Sequence, residues 1–366
     1  MVEHAIELEN SLPEDGRFDR IRDLWNITED RVHVEVLRAR LTRKLCDIYV
    51  QNGDVEGAAR TIQKIQIETF GSVPQNEKVD FILEQMRLSI EIADFTNATI
   101  LSKKINLKYF EKKDKDNDKR FQQKVAFYQR MIQCYMHEKN YLEISKQYQH
   151  IYNTEEIKSD NAVWPDILRN VALYVILAPF SNEQSDLIHH IINEPRLDDL
   201  KLAPPGNHLS LLDVAKGFIQ PELLDWEYVL KFYTPTLQST PVFSQDTEEG
   251  RVRWEEFRSR VREHNTRVVA KYYTTVTLDR LAELVGFSAT NVQEIEPFLS
   301  DLIIKDMIYA RIDRPKGIVS FIRPQSTEDQ LNAWSNNIDE LLKLVESTTH
   351  LLSKEETGRE LSKATV

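Results

Sequence analysis

The chain has 366 residues, 29% of them charged and 41% hydrophobic, and a net charge of −12 at neutral pH. That length and balance exclude a disordered chain and allow two or three packed units. The negative charge opposes nucleic acid and anionic membranes over the protein as a whole, and ten glycines leave little room for phosphate-cradling loops. Cys46 and Cys134 are too few and too far apart for a disulfide framework, so reduced thiols of a cytosolic or nuclear protein are expected.

Val2 to Asn10 mixes Glu3, Glu7 and Glu9 among its apolar residues, which is not the pattern of a secretory or transit segment. Met1 to Thr28 reads as partly helical, interrupted by Leu12-Pro13 and Gly16, and as a poor cap for the helices beyond it. It suggests a chain that starts partway into a longer array. From Arg31 a helix–turn–helix plan recurs. Val34, Leu37, Leu41, Leu45 and Ile48 line one helix, and Val55, Ala58, Ile62 and Ile65 line its return after Asn52-Gly53-Asp54. Val79, Ile82, Met86 and Ile90 precede a turn at Asp94, with Ala98, Leu101 and Ile105 beyond it. Phe121, Val125, Tyr128, Ile132 and Tyr135 precede a turn at Asn140, with Tyr141, Ile144, Tyr148 and Ile151 beyond it. The turns at Gly53, Asp94 and Asn140 lie 41 and 46 residues apart, a period of two-helix solenoids. Glu111 to Arg120, with five basic and four acidic residues, reads as a solvated loop.

Val171 to Ala178 is an apolar run stopped by Pro179, too short to span a bilayer and expected as a buried helix. Breaks come at Ala203-Pro-Pro-Gly206 and from Thr234 to Gln245. Asp246 with Glu249 then predicts a capping box for a long helix whose apolar positions are Trp254, Phe257, Val261, Val268 and Tyr272. A second helix spans Leu278 to Val285, capped by Thr277 and closed by Gly286. A third ends near Lys305 and carries Phe298, Leu299, Leu302 and Ile303 inward, with its start open between an Asn291–Glu294 cap and the constraint of Pro297. The period then changes to two in Ile308–Ile312 and Ile318–Ile322, joined by a turn over Asp313 to Gly317. Three helices and a β-hairpin in this order predict a winged helix. Ser326 is the expected cap of a last helix, in which Leu331, Trp334, Ile338, Leu341, Val345 and Leu352 form a heptad seam that asks for a partner.

No phosphate loop, nucleophile elbow or Cys-x-x-Cys is present. His137-Glu138 lacks a second histidine four positions on, and His189 and His190 point about 100° apart on a helix, so neither pair suits zinc. His264 reads as a hydrogen-bonded core residue rather than a switch. Arg251 to Lys271 holds seven basic and three acidic residues, which raises a nucleic-acid reading. Against it, the groove-reading position of a winged helix falls on Asn291–Lys305, where Glu294, Glu296 and Asp301 oppose a single Lys305. The wing adds only Arg311, Arg314 and Lys316. No enzyme activity, cofactor, metal site, nucleic acid or membrane is expected.

Helical repeats running into such a winged helix and a seam helix describe a PCI-domain scaffold. The runs Phe81–Leu88, Tyr174–Leu187, Glu263–Tyr273, Ile318–Phe321 and Thr349–Glu356 closely resemble the family of fifth non-ATPase subunits of the proteasome regulatory-particle lid. The resemblance covers about Arg31 to Glu356. The related fourth subunit of the COP9 signalosome shares the Glu263-His-Asn265 stretch and the wing, and is the alternative; the Ala178–Asp186 segment sets the chain apart from it. A winged-helix nucleic-acid binder is the other alternative.

The resemblance implies a mainly α protein with TPR-like helical repeats over 1–150, incomplete at the N-terminal side. A PCI domain over 151–323 comes next, with its winged helix at about 252–323, then a C-terminal assembly helix over 324–366. It implies a non-catalytic scaffold of cytoplasm and nucleus. Its partners would be other PCI subunits of the lid, the lid deubiquitinase subunit, the ATPase ring and the core particle. The expected partner-binding residues are Ile318, Val319, Ser320 and Phe321, through a free backbone edge of the wing, and Leu331, Trp334, Ile338, Leu341, Val345 and Leu352.

Overall fold

The structure is a computed structural model describing residues 17–28, 34–111, 117–194, 196, 211–238, 240–287, 292–324 and 326–364. It divides into two compact units, Met1–His264 and Asn265–Val366.

The first unit is helical throughout its described part. Helix α1 (Arg17–Ile27) is followed by three helix pairs: α2 (Glu35–Gln51) with α3 (Val55–Gln63), α4 (Gln75–Glu91) with α5 (Phe95–Ser102), and α6 (Asn117–His137) with α7 (Tyr141–Tyr152). The pairs are built by one repeated device. Gly53, Ala93 and Lys139 end the first helix of each pair at φ 81°, 62° and 56°. The next amide then reaches back to the carbonyl five residues earlier: Asp54 to Tyr49 at 2.9 Å, Asp94 to Ser89 at 2.8 Å and Asn140 to Tyr135 at 3.0 Å. That is a Schellman closure. The same three side chains then cap the returning helix, accepting from Gly57, Asn97 and Glu143. A single Asp or Asn thus satisfies orphan groups of two helices, which is why these residues mark the period.

The apolar stripes expected for each pair are at least half-buried, with Leu41, Leu45, Ile62, Met86, Ala98 and Ile144 nearly sealed. Within the stretch expected as a poor cap, α1 packs on the first pair. Ile21 and Trp25 pack on Leu41 and Leu45, and Trp25 Nε1 donates to Thr42 Oγ1 at 2.9 Å. Residues 1–16 lie outside the described part. The charged connection is shorter than expected: Asn117 to Arg120 already belong to α6.

The short α8 (Glu155–Ser159) leads to α9 (Trp164–Leu177), α10 (Asn182–Ile192), α11 (Leu211–Ile219), α12 (Trp226–Phe232) and α13 (Thr234–Gln238). Val171 to Ala178 are all 2% exposed or less, the buried helix expected of that run. Ala203 to Gly206 fall outside the described residues, and part of the expected break after Thr234 is helical. One hydrophobic core runs from Ala39 through Ile144, Ile151 and Leu168 to Val261, so packing continues across residue 150 where the sequence pattern changes.

The long helix α14 (Glu248–Tyr272) contains the division between the units. Trp254, Phe257, Val261 and Val268 are buried as expected, but Tyr272 is 61% exposed. Its cap is Thr247, not Asp246: Gly250 N donates to Thr247 Oγ1 at 3.2 Å. Gly250 decides the register, because a Cβ there would lie 1.9 Å from the Ser244 carbonyl oxygen. Gly250→Ala is therefore expected to destabilise the chain by about 2 kcal/mol in urea unfolding, despite alanine's better helix propensity.

In the second unit, β1 (Thr275–Thr277), α15 (Leu278–Val285), α16 (Val292–Ile304), β2 (Arg311–Asp313) and β3 (Ile318–Ser320) form a winged helix, followed by α17 (Thr327–Ala364). Thr277 Oγ1 accepts from Arg280 N, and Gly286 takes φ 85° to close α15, as the sequence predicts. Pro297 lies inside α16, and the expected Asn291 cap is outside the described residues. Leu281, Val285, Ile295, Leu299, Leu302 and Val319 make its core, with Phe298 and Ile303 half-buried against it.

Candidate functional site

The three strands run antiparallel in the order β1-β3-β2, with Val319 opposite Val276 on one side and Ile312 on the other. Phe321 N to Thr274 O at 3.0 Å and Leu278 N to Gly317 O at 2.8 Å lengthen the β1–β3 pairing at both ends. Ile318 to Ser320 is therefore the central strand. The free backbone edge expected there does not exist, because β1 occupies it. Edge groups belong instead to Arg311–Asp313 and Thr275–Thr277.

Of the four wing residues singled out from sequence, Val319 is 0% and Phe321 8% exposed, both in the core. Alternation puts Ile318 and Ser320, half-buried, on the opposite face beside Arg311 and Asp313. An open groove of about 1080 Å³ lies there between α16 and the hairpin, lined by Ser300, Ile303, Arg311, Ile312, Ile318 and Ser320. Arg314 is ion-paired to Glu296 across it. Ile304 at 83% and Ile322 at 59% exposure add apolar surface that the sequence reading left out.

Helix α17 begins with a reciprocal box: Asp329 N donates to Ser326 Oγ at 3.0 Å, and Ser326 N to Asp329 Oδ2 at 3.3 Å. Every side chain described from Ser326 to Thr357 is exposed. The six seam residues are 55–71% exposed. Leu342, Leu344 and Leu351, outside the strict heptad positions, are equally bare. They widen the apolar arc on both flanks of the seam, to roughly 160°. Such an arc is broader than a two-stranded seam uses and matches a helix contacted from more than one side.

Elsewhere the two cysteines and His264 are committed to structure. Burial, then Asp47 and Glu84, pushes the Cys46 thiol up to about 12; burial and Glu138 push Cys134 up to about 11. Both stay protonated and un-nucleophilic near neutral pH. His264 Nε2 donates to the Glu222 carbonyl at 3.0 Å with the ring 3% exposed, the core-histidine arrangement. His189 and His190 are exposed, and His137 stacks on Phe95. No group of three or more His, Cys, Asp or Glu suited to a metal occurs among the described residues, and no described helix is long and apolar enough to cross a membrane.

The basic residues of α14 are largely neutralised locally. Arg253 meets Glu249 at 3.3 Å, Arg258 meets Glu255 at 3.9 Å and Arg260 meets Glu263 at 2.5 Å, while Arg253 and Arg260 also donate to the carbonyls of Val242 and Leu177. Lys305 and Lys316 pair with Asp301 and Asp313 at 2.6 and 3.7 Å.

Comparisons with known proteins converge on one family. Residues 1–160 match the model described as PSMD12/CSN4, N-terminal; residues 226–323 match the PCI domain; residues 329–357 match the 26S proteasome regulatory subunit RPN5 C-terminal domain. The chain is 39% identical to the 26S proteasome regulatory subunit rpn501 of Schizosaccharomyces pombe, over 95% of this chain and 75% of that protein. It is 37% identical to the 26S proteasome regulatory subunit RPN5 of Saccharomyces cerevisiae, over 97% and 76%. It is 36% identical to the 26S proteasome non-ATPase regulatory subunit 12 of Dictyostelium discoideum, over 93% and 71%. Matches of this identity over nearly the whole chain, with the three models in chain order, show that the chain belongs to the family of the 26S proteasome regulatory subunit RPN5, the non-ATPase regulatory subunit 12.

Proposed function

We propose that this chain is a non-catalytic scaffold subunit of the 26S proteasome lid, supporting lid assembly and ubiquitin-dependent protein degradation in cytoplasm and nucleus. The observation that carries the reading is α17, whose nine bare large apolar side chains, Leu331 to Leu352, face water on a continuous helix. Such a surface is costly unless covered, since burying one of these side chains is worth roughly 1.5–3 kcal/mol. The cover we assign is a bundle with C-terminal helices of other PCI subunits. The winged helix would pair with its neighbours through its edge strands, Arg311–Asp313 and Thr275–Thr277, and through the outward Ile318 and Ser320. The helical repeats up to about residue 150 would form an arm toward the ATPase ring and the core particle. The deubiquitinase chemistry would belong to another lid subunit, because the cysteines are sealed and His264 is bonded into the core. No cofactor enters this function.

The test is affinity purification of the tagged chain from its native source, with identification of every chain that co-purifies. Lid subunits in equal amounts are expected. Recovery of signalosome subunits instead would overturn the reading in favour of the other family that shares the N-terminal model, and enrichment of RNA or DNA would favour the nucleic-acid binder.

A further inference from the structure

The first helices of the three pairs, α2, α4 and α6, together line a pocket of about 300 Å³. Arg43, Lys119 and Arg130 enter it from α2 and α6, and Asp80 and Glu84 from α4. The two carboxylates are already used. Asp80 Oδ1 accepts from Gln123 Nε2 at 2.7 Å, and that amide is itself fixed by Asn76 Oδ1 at 2.6 Å and by the Tyr109 hydroxyl at 3.2 Å. Glu84 is ion-paired with Arg87, which also reaches Glu91 at 2.6 Å.

The three cations have no hydrogen-bonded acceptor among the described residues. Arg43, Lys119 and Arg130 make no hydrogen bond or ion pair with any described residue, and Arg130 Nη1 is shut off from solvent with no partner. A guanidinium nitrogen held out of water without an acceptor is costly, and a carboxylate on the pocket-lining side of the same guanidinium would offset part of that cost with a charge-assisted bond. Burial lowers the Arg130 pKa, and Glu84 and Asp80 offset only part of that effect.

We propose that this pocket is a docking site for an acidic peptide segment of a partner protein, one carboxylate of which lies between Arg43, Lys119 and Arg130. Charge complementarity selects the occupant: three cations without a hydrogen-bonded acceptor outnumber the two engaged carboxylates, a local exception in a chain of net charge −12, and the pocket spans three successive repeats that an extended segment can cross. Gln123, which lines the pocket, is held in place by Asn76, Asp80 and Tyr109 before binding.

The probe is a fluorescein-labelled hexapeptide of alternating Gly and Asp, titrated against the full chain by fluorescence polarisation at low salt. Saturable binding is expected, weakening as salt rises. Arg43→Gln with Lys119→Gln changes two exposed side chains that bond nothing, so the melting temperature should hold while affinity falls about tenfold or more. Arg60→Gln, on the returning helix α3, should leave binding unchanged. Arg130→Gln should weaken binding further. The proposal is overturned if the peptide does not saturate, if the Arg43→Gln, Lys119→Gln variant binds as tightly as the wild type, or if a Gly-Lys hexapeptide binds as well. Binding of inorganic phosphate with no peptide binding would also overturn it, marking a small-anion site only.

Discussion

A chain stopped after Pro324 is expected to melt within about 2 °C of the full chain, although it loses a 38-residue helix. The reason is that α17 shields nothing: each of its described side chains from Thr327 to Thr357 is exposed, so no buried apolar area leaves with it. Its own hydrogen bonds are intrahelical and its start is closed by Ser326 and Asp329, which the truncation removes together with the helix. Circular dichroism would show the lost helical signal, and scanning calorimetry the unchanged transition. A melting temperature lower by about 5 °C or more would mean that the helix belongs to a packed core.

Val319→Asp is expected to unfold the winged helix at neutral pH while leaving the first unit intact. Val319 is fully buried in the central strand, between Val276 and Ile312, in the core that also holds Leu281 and Leu302. A carboxylate there loses its hydration, so its pKa in the folded state rises far above the unfolded value near 3.9, at a cost of roughly 3–5 kcal/mol when ionised. The sign is fixed by linkage. Below the unfolded pKa both states are protonated and the charge penalty vanishes; it grows as pH rises from about 4 towards the raised folded value. Urea unfolding at pH 4.5 and pH 7.5 should therefore show a larger deficit at the higher pH. Thr275→Asp, exposed on the outward face of β1, should change stability by no more than about 0.5 kcal/mol at either pH. A Val319→Asp chain as stable as wild type at pH 7.5 would contradict the three-stranded sheet.

That sheet is also where reading the sequence alone falls short. Thr275–Thr277 is three residues long, too short to display a period of two, and its partner Ile318–Ser320 lies more than forty residues away. Local pattern has no access to that pairing, so Ile318–Ser320 reads as an outer hairpin strand when it is the central one. The cap expected at Asp246 and found at Thr247 has a different origin. Both residues can cap, and the choice rests on Gly250 lying against the Ser244 carbonyl, a contact made by the absence of a side chain.

What was legible depended on single-residue chemistry with few competitors. Gly53, Asp94, Asn140, Thr277, Gly286 and Ser326 each meet a backbone demand that few residue types satisfy, and each stands where the sequence places it. The sealed Val171–Ala178 run was legible because a buried helix needs an unbroken apolar stretch. The trio of Arg43, Lys119 and Arg130 was not: its members are scattered along the chain, and only packing brings them to one pocket.

The central claim is that α17 joins this chain to its partners. The most direct measurement compares tagged wild type with the Leu341→Asp, Val345→Asp double variant, expressed in the native source and purified under identical conditions. Both positions are more than half exposed, so the variant should fold and melt as the wild type does. The account predicts that native mass spectrometry finds the wild type within the assembled lid and the variant as a free chain. A variant recovered in the lid at the wild-type level would contradict it.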